Sequence, residues 1–189
     1  MRQFTVIYDS CVLYPSRLRS LLMHLALSDL YRARWTESIH EEWMRSVCND
    51  YPDITRHDVE RTRDLMNAHA LDALITGYEG FIDSLVLPDP DDRHVLAAAI
   101  VGRADAIVTF NLKDFPEDQL RTYDIEAIHP DTFLVCQFDL SSAAVCAAVR
   151  AHRTSLKRPP RDAEDYLDEL EQDGLPQIVE LLRQSSDRI

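Results

Sequence analysis

The chain has 189 residues, 46% of them hydrophobic, and 33 Asp and Glu against 20 Lys and Arg give a formal charge of -13. That apolar content supports a real core and excludes global disorder, and the length suits one ordinary domain with a terminal appendage. The acidic balance excludes a general electrostatic footprint for nucleic acid, yet it is compatible with a site whose bound cations reverse the local sign, with a basic partner segment, or with solubility alone.

No apolar run reaches the roughly 18 residues that span a bilayer, and the N-terminal segment lacks the long apolar stretch and cleavage site of a signal peptide. A cytoplasmic protein is expected. Cys11, Cys48, Cys136 and Cys146 form no C-x-x-C pair, so they read as reduced, small core or surface residues.

Phe4 to Tyr8 reads as a short buried strand. Pro15 opens a helix with Leu18, Leu21, Leu22 and Leu25 on one face. Ala33 to Thr36 is a second strand. Ile39, Trp43 and Val47 form the stripe of the next helix, which Pro52 breaks. Thr55 and Asp58 stand at capping-box spacing, ahead of a helix using Val59, Thr62, Leu65 and Met66. Ser84 to Leu87 is expected as a short strand. A turn with several capping candidates, Pro88 to Asp92, leads to a helix from Asp92 to about Val101, apolar nearly all round and therefore buried. Gly102 ends it. Ala106 to Phe110 and Ile125 to Ile128 complete the strands.

Strands alternating with helices predict an α/β fold with a mainly parallel sheet. Beyond about residue 140 the pattern becomes helical: an Ala-rich helix from Ala143, a basic proline-containing linker over Thr154 to Arg161, an acidic helix from Asp162 to Asp173, and a last helix carrying Ile178, Val179, Leu181 and Leu182. The expected division is 1–138 for the α/β domain and 139–189 for a helical extension.

Four acidic positions adjoin apolar stretches: Asp9 after the first strand, Glu42 on the Ile39–Trp43 helix, Asp92 before the apolar helix, and Asp114 after Ala106 to Phe110. A parallel sheet can bring such residues to one edge, because functional groups gather where its strands end. Carboxylates brought together repel, and a divalent cation relieves that repulsion. An oxygen-only donor set suits Mg²⁺ or Mn²⁺, and such ions can activate water against a phosphodiester. With only four glycines the chain has no phosphate-cradling Gly-rich loop.

Three blocks, Val6–Leu13, Leu87–Ile100 and Ala104–Phe115, with a weaker one around Glu41, Glu42 and Trp43, resemble PIN-domain nucleases, most closely the VapC-type toxins of bacterial toxin–antitoxin systems. The resemblance covers roughly residues 4 to 135. It implies a three-layer α/β/α sandwich, a Mg²⁺- or Mn²⁺-dependent endoribonuclease acting on RNA, a cognate antitoxin partner, and a homodimer of the kind common among PIN domains. It implies Asp9, Glu42, Asp92 and Asp114 as catalytic metal ligands, with Glu41 the rival of Glu42 and Asn111 the rival of Asp114. Ser10 and Thr109 are candidates to orient a ligand. Arg93 and Lys113, ahead of Lys157, Arg158 and Arg161, are candidates to steer RNA phosphates. His94 reads as packed or at the rim. Asn111, standing where many relatives carry Asp, leaves open a non-catalytic binding module on the same fold.

Overall fold

A computed structural model describes residues 3–157 and 159–189; Arg158 lies outside them. In chain order the elements are β1 (Thr5–Tyr8), α1 (Ser10–Leu13), α2 (Ser16–Ala26), β2 (Arg32–Arg34), α3 (Glu37–Asp50), α4 (Arg56–His69), α5 (Arg93–Val101), β3 (Ala106–Val108), α6 (Glu117–Leu120), β4 (Glu126–Ile128), α7 (Pro130–Leu140), α8 (Ser142–Ser155), α9 (Ala163–Gln172) and α10 (Pro176–Arg183). Short 3₁₀ turns occur at Glu79–Ser84, Pro90–Asp92 and Leu112–Asp114, among others. Residues 1–14 and 31–129 form one unit, and 15–30 with 130–189 form another.

The first unit is built on a parallel four-stranded sheet in the order β2-β1-β3-β4. Val6 faces Ala106, Ile7 faces Ile107 and Tyr8 faces Val108 across the central pair, and all six are fully buried. Continuous burial explains why these strands read as unbroken apolar runs rather than as alternation. The expected α/β fold with a parallel sheet holds. Helix α5 is buried from Val95 to Ala99, as its all-round apolarity requires. It ends at Gly102, where a Cβ would come within 2.4 Å of the Ile75 Cδ1 atom, so a larger residue there would require the Ile75 side chain to shift. The capping box at Thr55 and Asp58 forms in full.

Two local expectations fail. Ser84 to Leu87 is not a strand: Ser84 ends a 3₁₀ turn, and the segment pairs with no strand among the described residues. Leu85 and Leu87 are buried and Val86 is exposed, so the alternation that suggested a strand is met by side-chain burial in an extended segment. That segment runs directly into Pro88 and Pro90, which cannot donate to a ladder. In α4, Leu65 is exposed, because the buried stripe runs through Val59 and Met66 and Leu65 falls about 100° off it.

The second unit packs α2 against α8, and α7 and α9 against α10. Its core includes Leu18, Leu22, Val145, Val149, Tyr166, Leu170 and Ile178. The leucine face read for α2 is buried throughout, and the three helices expected beyond residue 140 are present.

Candidate functional site

The strand order places a topological switch point in the first unit. The chain runs from β1 to β2 on one side and later enters β3 on the other. In open parallel sheets a crevice opens at the carboxyl ends of the strands at such a point. Asp9 directly follows β1, and Thr109 directly follows β3.

Asp9 is 3% exposed. Its Oδ1 accepts the Ser10 amide at 2.6 Å as the N-cap of α1, with the Ser10 hydroxyl at 3.4 Å. Its Oδ2 accepts the Thr109 hydroxyl at 2.7 Å and the Cys11 thiol at 3.1 Å. Thr109, fully buried, in turn receives the Asn111 amide on Oγ1 at 2.9 Å. These donors offset the desolvation of the carboxylate and fix its orientation. Cys11 was missed in the sequence, where nothing separates it from the other cysteines; its role depends on partners that only the sheet brings near. Burial, then the Asp9 charge, pushes its thiol up to about 12, so it remains a proton donor.

Asp92 stands at the head of α5, but its side chain makes no capping bond. Asp89 caps the preceding turn instead, accepting the Asp91 amide at 2.9 Å. Among the described residues the Asp92 carboxylate has no hydrogen-bond partner. Burial, then the charges of Asp9, Asp89, Asp114 and Glu42, pushes its pKa up to about 7. Asp9, Asp114 and Glu42 therefore lie close enough to Asp92 for like-charge repulsion to act.

Glu42 and Glu41 diverge, as neighbours on a helix do. Glu41 reaches Arg56 with both oxygens, at 2.8 and 2.5 Å. The Glu42 Oε1 atom lies 2.6 Å from Nε2 of His94 on α5. That contact is close but poorly aligned, and among the described residues neither ring nitrogen of His94 makes a well-formed hydrogen bond. At that distance it is an electrostatic contact. The Asp114 amide donates to the Asn111 carbonyl at 3.0 Å in the turn after β3, and its side chain is half-buried. Asn111 and Lys113 are exposed. Arg93 turns back to the Pro90 carbonyl at 2.9 Å. Among the described residues, Arg93 and Lys113 form no ion pair with these carboxylates.

The fold thus joins Asp9, Ser10, Cys11 and Thr109 by hydrogen bonds and sets Asp92, Glu42 and Asp114 within electrostatic range. Among the described residues no three His, Cys, Asp or Glu side chains converge to enclose an ion. The donor chemistry nevertheless fits a hard divalent cation. The carboxylates supply only oxygen, and Mg²⁺ retains several waters, so its carboxylates need not close into a cage.

The PIN-domain profile matches residues 5–113, more than half of the sequence. The chain belongs to the PIN-domain family, and the resemblance carried by the three sequence blocks is borne out. The VapC50 C-terminal domain profile matches residues 130–184. Over 79 residues the chain is 48% identical to a Mycobacterium tuberculosis (strain ATCC 25618 / H37Rv) protein named "Putative ribonuclease VapC50", a stretch covering 42% of this chain and 47% of that protein. The chain therefore aligns with less than half of that relative's length. No solved structure matches the chain.

Proposed function

We propose that this PIN-domain protein is a metal-dependent endoribonuclease, the toxin of a type II toxin–antitoxin pair. One observation carries the reading: at the sheet's switch point, an Asp92 carboxylate without a hydrogen-bond partner among the described residues faces the charges of the fixed Asp9 and of Glu42 and Asp114. Asp9, Glu42, Asp92 and Asp114 would hold one or two Mg²⁺ or Mn²⁺ ions. When bound, such an ion activates water and stabilises charge on the phosphoryl oxygens. Thr109, Ser10 and Cys11 orient Asp9. Glu42, rather than the Arg56-bound Glu41, is the second ligand, and His94 positions it. Asp114 is preferred to Asn111 because its charge acts on Asp92. Arg93, Lys113 and Asn111 contact RNA as it approaches from solvent. The antitoxin and RNA partners rest on the VapC-type relationship.

The test is cleavage of RNA by the purified chain with Mg²⁺ or Mn²⁺ and with chelator, comparing wild type with Asp9→Asn. Loss of cleavage in the variant, with circular dichroism unchanged, supports the assignment. Cleavage surviving in Asp9→Asn would place the activity elsewhere. The contact of His94 with Glu42, together with the uncharged Asn111, favours a second reading, a PIN-like module that binds without turnover. Metal-independent RNA binding with no cleavage by wild type would select it.

A further inference from the structure

The second unit contains a cavity of about 420 Å³ that the nuclease reading does not use. It is lined by residues of α2, α8, the segment after α8, and α9. Its size falls in the range of small-molecule sites.

The charged groups around it have been pre-arranged. The Glu169 carboxylate bridges two guanidiniums, with Arg17 Nε at 3.2 Å and Arg161 Nε at 2.6 Å. Arg17 Nη1 also reaches Asp173 at 2.7 Å, and Arg161 Nη1 reaches the Pro159 carbonyl at 3.3 Å. In both side chains the Nη2 group has no acceptor among the described residues. Among the described residues Lys157 has no ion pair and the hydroxyls of Ser16 and Ser20 have no hydrogen bond. His152 also lines the cavity and is 0% exposed. Its Nδ1 is 2.7 Å from the Tyr166 hydroxyl, while its buried Nε2 has no partner among the described residues. With Tyr166 donating to Nδ1, the Nε2–H is an unanswered donor inside the protein, and such a group costs free energy until an acceptor meets it.

We infer that this cavity is a binding pocket for a phosphoryl group, held by Arg17, Arg161, Lys157, Ser20 and His152. The one lining carboxylate is already shared by two arginines, so the groups left open are donors. A phosphoryl group is rich in acceptor oxygens and matches the planar edges of two fixed guanidiniums. The lining contains no Phe, Tyr or Trp, so no stacking platform for a base is present. The ligand is recognised by its phosphoryl oxygens. This inference is independent of the nuclease reading.

The test is calorimetric titration of the full chain with inorganic phosphate in chelator, where the acidic site of the first unit repels anions. We expect saturable one-site binding accompanied by movement of the His152 imidazole resonances. Changing Lys157→Ala and Ser20→Ala together, both outside the core, should weaken binding by about tenfold or more with unchanged circular dichroism. Competition then identifies the source. Displacement of phosphate by a short 5′-phosphorylated oligoribonucleotide assigns the pocket to RNA, and displacement by glycerol 3-phosphate alone assigns it to a small phosphorylated molecule. The inference is overturned by absence of saturable binding at millimolar phosphate, by unaltered affinity in the double variant, or by displacement with neither competitor.

Discussion

The Thr109 hydroxyl donates to Oδ2 of Asp9 at 2.7 Å, joining two residues 100 positions apart at the ends of adjacent strands. The Thr109 Oγ1 atom also accepts the Asn111 amide, so the hydroxyl ties the turn after β3 to the carboxylate after β1. Replacing it with an isosteric methyl leaves both groups without their partner. Thr109→Val should lower metal-dependent cleavage about 10–100-fold through a loosened Asp9 and cost about 1–3 kcal/mol of stability. Thr109→Ser, which keeps the hydroxyl, should restore most of the activity. Equal losses in the two variants, measured as turnover at saturating metal, would show that the hydroxyl does not act on Asp9.

Asp92 gives a prediction with a defined sign. Its folded pKa, about 7, stands above the usual 3.8 because of burial and then the neighbouring carboxylates. Ionising it therefore costs stability. The cost begins as pH rises past the unfolded value and is complete above about 7. Asp92→Asn removes it, so in chelator at pH 8 the variant should be more stable than wild type, by about 1 kcal/mol after allowance for the half-exposed site. The gain should vanish near pH 4. Added Mg²⁺ should raise the wild-type melting temperature more than the variant's, and RNA cleavage by the variant should be lost. A variant less stable than wild type at pH 8 in chelator would contradict the repulsion.

What could be read from sequence was local or continuous. The run ending at Tyr8 is legible because both faces of β1 are buried, and the Thr55–Asp58 box because both partners lie within one turn. Asp9 and Asp92 were visible as carboxylates next to apolar segments. The rest depends on remote partners. The bond of Cys11 to Thr109 and the approach of His94 to Glu42 arise only when separate elements meet. Helix α7 escaped notice because its buried face includes Pro130, Asp131 and Gln137 alongside Phe133 and Leu134, so no clean apolar stripe marks it.

Asp131 explains why the start of α10 has no local cap. The helix opens at Pro176, preceded by Leu175, which cannot cap it. Asp131, 1% exposed on α7, instead accepts the Gln177 amide on Oδ2 and the Ile178 amide on Oδ1, each at 2.9 Å. A carboxylate at a helix N-terminus meets both the open amides and the positive end of the dipole. Asp131→Ala should cost about 2 kcal/mol, seen as a lower midpoint in urea, with hydrogen exchange quickening first in α10. Unchanged exchange at Gln177 and Ile178 would show that the distant cap contributes nothing.

His152 sets a pH limit on the second unit. It lies between α2 and α9, facing His24 and Arg17 on the former and the Tyr166 hydroxyl on the latter. Burial, then the charges of His24 and Arg17, lowers its pKa from 6.5 to about 4. The folded state therefore holds the neutral ring while the unfolded state takes up a proton. The stability contributed by the neutral ring is complete above the unfolded value of 6.5, is lost as pH falls, and loses nothing more below about 4. The full loss is roughly 3 kcal/mol. Between pH 7.5 and 5 the protonation of Asp92 acts in the opposite direction, so in an Asp92→Asn background this ring should account for much of the fall in melting temperature. His152→Gln, which cannot be protonated, should start less stable and lose little over that interval. A variant whose stability falls as steeply as wild type between those pH values would assign the sensitivity to another group.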